Sequence, residues 1–534
     1  MRVAAEVLMD VLRDEGVTHV FGNPGSTELA LLDQLDGSEL RYVLGLQEVA
    51  VVGMADGYAQ ASGRPAFVNL HTLGGLGHAA GAIASARITR APMVVTAGNQ
   101  DRRHLSRDAW LSGDLEAVAA PIAKSSREVR LAADLPLLLR RAFRDAMTPP
   151  RGPVFLSLPM DILEEEIDAG PGRKSAIHQG GAPDVTRNLA TRIASTPPGR
   201  FALLLGDEVW QTPGAAEAAV MLANATGAAV FGAPLCVGCV FPSAHNAWRG
   251  QLFPETSWVR LALDNFDLVV GVGGRLLHAY HYEAGAFLPD STTFAHITAE
   301  ADVPGRSEVT EFGLVGNVAS ILNVLAAECG GNAAAIPEFM PSETDCLLRD
   351  LKPDWLGFGA DTVVNEILRA LPPGTPVVNE ACCALNTARR QMAMMPGQYF
   401  FIGAGHLGWA MPASVGVSLA RSRSPVVCLV GDGGAMYAPQ ALWSANREGV
   451  PVVFVVLDNR EYGLLKEQAR LQGLPKATKG QFLGMDMDPC LDFCALATSM
   501  GVPSVRAATP AAIGEAVHAA IRQSAPSLIH VPLD

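Results

Sequence analysis

A chain of 534 residues is longer than one hydrophobic core supports, so about three domains are expected. Its composition, 49% hydrophobic, 18% charged and 6% aromatic, suits a large α/β enzyme with buried helices and parallel strands. A formal charge of −14 argues against a general nucleic-acid or anionic-membrane surface, which needs excess Lys and Arg, and leaves a small-molecule substrate as the expectation.

Residues 1–20 interleave Arg2, Glu6, Asp10, Arg13, Asp14 and Glu15 with apolar positions, which predicts an amphipathic helix and not a signal peptide. No uncharged apolar run of about 18 residues follows, so no membrane span is expected. Three strand-like stretches come next: Phe21-Gly-Asn-Pro-Gly-Ser-Thr-Glu28, Tyr42 to Ala50, and Asn69-Leu-His-Thr-Leu-Gly-Gly-Leu-Gly77. Each breaks at glycine or a polar residue before a helix, so Ser26, Glu48 and His71 could share one sheet edge. Ser26 also reads as a helix N-cap, and His71 as a structural histidine. Glu48 opens EVAVVGMADGYAQAS, apolar almost throughout its first two turns, which implies burial on all sides, as at a subunit interface. A carboxyl buried there can hold or share a proton; a helix N-terminus also favours glutamate by itself.

Gly170 to Asp184 and Gly330 to Asp345 are rich in turn formers and read as linkers, cutting the chain into 1–170, 185–330 and 346–534. Each segment alternates short apolar runs with helical patterns, among them Leu203-Leu-Leu205, Leu268 to Val272, Val426 to Val430 and Val452 to Leu457. Three doubly wound parallel-sheet domains are the predicted fold, with ligands at the carboxyl ends of the strands. Gly271-Val-Gly273-Gly274 could mark a nucleotide site in the middle segment, but no suitable acidic residue accompanies it. Cys236-Val-Gly-Cys239 has no second Cys or His pair at zinc-site distance and reads as structural thiols. The nine scattered cysteines suit a reduced, cytoplasmic protein.

Pro425 to Leu465 carries the most chemistry. An apolar strand ends in Gly431-Asp432-Gly433-Gly434, a helical pattern follows, and a second apolar strand ends in Asp458-Asn459. The crossover of this βαβ unit would set Asp432 beside Asn459, 27 positions later, at the sheet's carboxyl edge. Such oxygen ligands suit Mg²⁺, which completes its shell with phosphate oxygens, and the glycines leave room for a diphosphate at a helix N-terminus. The alternative is an ordinary Gly-rich turn.

Gly431-Asp432-Gly433 followed by Asn459 resembles the cofactor signature of thiamine-diphosphate enzymes. The wider pattern, FGNPGSTE, LQEVAVVGMADGYAQAS, NLHTLGGLG, AGHLGWAMPASVGV and GDGGAMY through DNREYG, resembles the benzoylformate decarboxylase family over nearly the full length. The resemblance implies three thiamine-diphosphate-binding-fold domains and non-oxidative decarboxylation of a 2-oxo acid, with carboligation as a side reaction. It implies Asp432, Asn459 and the Glu461 carbonyl as magnesium ligands. The cofactor is then held by Glu48, Gly431, Gly433, Leu407 and Tyr462, with Glu48 on the aminopyrimidine. Ser26 is implied as the substrate-carboxylate serine and His71 as one of two acid–base histidines. For the second, the family's column falls on Tyr280, between His278 and His281, and His281 is preferred. Asp458 stands where the family usually has asparagine. Leu464, Leu465 and Gln468 replace the family's small and aromatic pocket residues, which leaves substrate size open. The family also implies a homodimer at least, and a homotetramer. The rivals are an acetohydroxyacid-synthase-like carboligase, a 2-hydroxyacyl-CoA lyase and a non-catalytic cofactor-binding paralogue; no flavin pattern marks 185–330.

Overall fold

The computed structural model describes residues 1–175, 183–330, 360–384, 388–389 and 394–533. The second expected linker beyond Gly330, the centre of the first, and the opening of the third segment through 359 lie outside the described residues. Two compact units form: Met1–Ala176 with Gly357–Thr387 and Ile402–Asp534, and Ile177–Leu356 with Ala388–Phe401.

In the first unit, one sheet orders its strands Arg41–Leu44, His19–Gly22, Ala66–Leu70, Met93–Asn99, Pro153–Pro159 and Ser125–Glu128, all parallel. The chain leaves His19–Gly22 toward one edge and returns past it to Ala66–Leu70, so a crevice opens beyond Gly22 and Leu70. A second sheet in this unit runs Val377–Asn379, Val426–Gly431, Val452–Asp458, Ser527–Pro532 and Ser504–Arg506, again parallel. Its central strands are buried on both faces, which is why they read as unbroken Val and Leu runs.

The amphipathic N-terminal stretch is the helix Ala4–Asp14, burying Ala4, Val7, Leu8, Val11 and Leu12. The helix Glu48–Ser62 is buried from Ala50 through Gln60. Much of the cover expected for this helix comes from the same chain, chiefly the helix Ala410–Ala420. Glycines let the two backbones touch: a Cβ on Gly57 would lie 2.2 Å from the Ala413 carbonyl oxygen, and one on Gly416 would lie 1.9 Å from that of Met54. Arg41 to Glu448 (2.6 Å) and Ser444 Oγ to the Leu44 carbonyl (3.0 Å) add polar ties between the two sheet systems.

The second unit holds a six-stranded parallel sheet in the order Trp248–Gln251, Ala229–Gly232, Phe201–Leu205, Leu268–Val272, Thr293–Thr298 and Phe312–Val315. Its core gathers Leu203, Leu222, Val230, Val270, Ile297 and Leu322. Cys236 and Cys239 are buried free thiols bonded to the Leu205 and Phe241 carbonyls. Among the described residues no helix is long and apolar enough to cross a membrane.

Candidate active site

At the crevice of the first sheet, the segment after Gly22 folds into a short 3₁₀ turn, Ser26–Glu28. Gly25, not Ser26, occupies the cap position, so the exposed Ser26 hydroxyl is not spent on capping. Gly25 is needed for packing: a Cβ there would sit 2.0 Å from His71 Nδ1. His71 ends the neighbouring strand and begins the helix Thr72–Ile88 without capping it. Its Nδ1 instead meets Glu28 Oε2 at 2.9 Å, with Thr27 Oγ1 at 3.3 Å. Glu28 is 1% exposed and also accepts from Thr27 Oγ1 (2.6 Å) and Gly98 N (2.9 Å). A buried carboxylate thus orients the imidazole and leaves Nε2 for chemistry.

Glu48 lies at the same edge, with Gln47 capping its helix. Its Oε1 accepts from Asn23 Nδ2 at 2.9 Å, and its Oε2 meets His78 Nδ1 at 3.1 Å. The two carboxylate–imidazole pairs, Glu28–His71 and Glu48–His78, were not legible from sequence. The bonds span 43 and 30 positions, and only the shared helix from Thr72 hinted at the second. Thr72, immediately after His71, has φ +50°, and Arg460, after Asn459, has φ +57°; left-handed non-glycine residues are costly and cluster at functional sites.

At the other sheet the expected adjacency holds: Gly431 pairs with Leu457, which levels Asp432 with Asp458. Asp432 Oδ1 accepts from Gly433 N at 2.8 Å, whereas Oδ2 is buried with no partner among the described residues. Burial lifts the Asp432 carboxyl to about 7, and the neighbouring Asp458 adds to the rise. Burial opposes ionisation of Asp458 as well, but the bond from His530 and the neighbouring Asp432 hold it below the usual carboxylate range. His530 Nε2 lies 2.8 Å from Asp458 Oδ2, so the residue that departs from the family pattern is anchored. Asn459 Oδ1 accepts from Glu461 N at 3.4 Å. An orphaned buried carboxylate oxygen, a second carboxylate and an amide oxygen fit a hard divalent cation. Beside them Gly431 leaves open space, and a Cβ on Gly433 would press to 2.8 Å from the Tyr462 ring. Backbone bonds Tyr462 N to Met485 O (2.9 Å) and Met487 N to Arg460 O (2.8 Å) brace the Glu461 turn. Leu464 and Gln468 are half-buried on the helix Gly463–Leu471, and Leu465 is exposed.

Leu407 is half-buried just before a turn gripped by Glu380. Glu380 accepts from Gly408 N (2.6 Å), Trp409 N (2.8 Å) and Ala410 N (2.6 Å) at the start of the Ala410–Ala420 helix. Burial pushes its carboxyl up to about 7 against the pull of these three donors. Among the described residues no hydrogen bond or ion pair joins the Glu48–His71 group to the Asp432 group.

Family models for thiamine pyrophosphate enzymes match three stretches: the N-terminal TPP binding domain at residues 2–119, the central domain at 188–325 and the C-terminal TPP binding domain at 381–531. The chain belongs to the thiamine pyrophosphate enzyme family. Within that family it is 36% identical to benzoylformate decarboxylase of Pseudomonas aeruginosa, over 100% of this chain and 99% of that one. The crystal structure of benzoylformate decarboxylase from Polynucleobacter necessarius superposes with a TM-score of 0.89 at 30% identity, covering 100% and 98%. The solved structure of the thiamine diphosphate-dependent 4-hydroxybenzoylformate decarboxylase of Rhodococcus jostii RHA1 gives 0.89 at 31%, covering 99% of each. As a thiamine pyrophosphate enzyme the chain carries the cofactor-binding fold at both of its N- and C-terminal matches. His278 and His281 belong to the second unit. His278 lines a cavity of about 280 Å³ with Arg275, Phe294 and Arg306, and its Nδ1 is buried with no partner among the described residues. Burial, then Arg275, lowers its pKa. His281 stacks edge-on against Tyr280 at 4.7 Å, and Tyr280 itself is 74% exposed.

Proposed function

We propose that this enzyme decarboxylates an aromatic 2-oxo acid of the benzoylformate type to an aldehyde and CO₂, using thiamine diphosphate and Mg²⁺. The observation that carries the reading is the grouping of Ser26, Glu28–His71 and Glu48 at one sheet crevice, in a family whose fold binds the cofactor. Asp432, Asn459 and the Glu461 carbonyl would hold the cation, with Gly431, Gly433 and Tyr462 at the diphosphate, Leu407 against the cofactor, and Glu48 at the aminopyrimidine. Bound thiamine diphosphate supplies the carbon nucleophile and the electron sink for loss of CO₂.

The protein's part is positioning and proton movement. Glu48 holds a proton at the cofactor's pyrimidine end. Ser26 binds the substrate carboxylate, and His71, aligned by Glu28, gives and takes protons at Nε2. His281 is the second acid–base residue in this reading, and Leu464 with Gln468 bound the substrate's far end. Carboligation with an acceptor aldehyde is the side reaction this reading allows. The family resemblance points to a homodimer at least, assembling to a tetramer, in which first and third domains of two subunits meet around each cofactor. A cytoplasmic enzyme is consistent with its thiols.

The test is CO₂ release by purified protein with thiamine diphosphate and Mg²⁺, over a panel from pyruvate through branched acids to benzoylformate, with product identified. Fastest turnover on an aromatic acid, yielding its aldehyde, is expected. Condensed hydroxy-keto products without free aldehyde would replace this reading with a carboligase.

A further inference from the structure

The mechanism above leaves His78 unused. It sits on the helix Thr72–Ile88, two turns into the element that begins after His71. Its Nδ1 lies 3.1 Å from Glu48 Oε2, while Asn23 holds Oε1 at 2.9 Å. The His78 side chain is 67% exposed, that of Glu48 10%.

The terminal torsion of glutamate is broad and roughly two-fold, so one bond at Oε1 leaves the plane of the carboxyl loosely set. A second bond at Oε2 fixes that plane, as reactive groups require of their supporting residues. A merely incidental ion pair on the surface would be worth about 0–1 kcal/mol and would leave no trace in cofactor chemistry. A merely structural histidine would be missed equally in any replacement, so the two roles separate experimentally.

We propose that His78 is a positioning residue for Glu48, setting the carboxyl's orientation through the Nδ1–Oε2 contact and thereby the rate of cofactor activation. This rests on Glu48 being the activating carboxylate. In this role His78 forms and breaks no covalent bond.

Holoenzyme carrying His78→Leu or His78→Asn provides the test, read by exchange of the thiazolium C2 proton of bound thiamine diphosphate for deuterium and by calorimetric cofactor affinity. His78→Leu should slow exchange by about tenfold or more with the Kd held within about threefold, and His78→Asn, whose amide can replace Nδ1, should exchange within about threefold of the parent. Exchange in His78→Leu at the parental rate, or an equal loss in both variants, overturns the proposal. Cofactor-free protein with ¹⁵N-histidine supplies an independent reading. The His78 Nδ1 resonance, assigned by its loss in His78→Asn, should move on Glu48→Gln, and an unmoved resonance overturns the contact. If Glu48→Gln leaves C2 exchange unchanged, the reading of Glu48 itself fails, whatever the ¹⁵N shift shows about the contact.

Discussion

Glu28→Gln separates orientation from packing at His71. Glutamine keeps an oxygen for Thr27 Oγ1 and Gly98 N, two of the three bonds that Glu28 accepts. It presents an NH₂ to His71 Nδ1, so the imidazole proton is driven to Nε2 and the ring holds the wrong tautomer for accepting a proton there. Losing an orienting carboxylate in this way costs on the order of 10²–10⁴ in rate, with a stability loss of about 1 kcal/mol for the one exchanged bond. Glu28→Ala instead strands the Gly98 N–H in a site 1% exposed and breaks a buried pair, for about 3–5 kcal/mol. Steady-state CO₂ release from benzoylformate and urea unfolding of both variants make the assay. Near-parental kcat/KM in Glu28→Gln, or equal destabilisation by both substitutions, would refute the orienting role.

Asp56 is buried in the Glu48–Ser62 helix beside Gln60 and Trp409, and burial pushes it up to about 7. Its folded pKa lies above the unfolded value, so the folded state binds the extra proton and stability falls as pH rises from about 4 to about 7. Asp56→Asn removes that slope, so its Tm advantage over the parent should widen between pH 5 and pH 8; a constant or shrinking gap counts against the assignment. Gly416→Ala forces a Cβ to within 1.9 Å of the Met54 carbonyl, and should cost about 1–3 kcal/mol or more by calorimetry, whereas a neutral result would deny the close helix crossing. Asp432→Asn should abolish the thermal stabilisation that Mg²⁺ and thiamine diphosphate give together; undiminished stabilisation would place the cation elsewhere.

Much of the fold was readable because parallel strands buried on both faces leave apolar runs, as in Val426–Gly431 and Val452–Asp458, and a crossover places their ends side by side. The Asp432–Asn459 edge and the helix opened by Glu48 were legible for that reason. What escaped depends on contacts between distant segments. The apolar Glu48–Ser62 helix announced burial but not what covers it: Gly57 and Gly416 admit the chain's own Ala410–Ala420 helix. Ser26 looked like an N-cap, but the turn places Gly25 there. Glu28 was visible only as part of a helix-start pattern, and nothing local revealed that Gly98 and His71 converge on it. Glu380, His530 and His78 act through partners 28, 72 and 30 positions away. The middle-segment histidines stayed ambiguous because pattern alone cannot show that His278 lines a cavity while His281 stacks on Tyr280.

The central claim, that Glu48 activates bound thiamine diphosphate for loss of CO₂ from a 2-oxo acid, is tested most directly by Glu48→Gln. The measurement is CO₂ release from benzoylformate by parent and variant at saturating cofactor, with bound thiamine diphosphate quantified in each. The account predicts brisk release by the parent and a loss of about 10²-fold or more in the variant while cofactor remains bound. Equal release by both proteins, each loaded with cofactor, would contradict it.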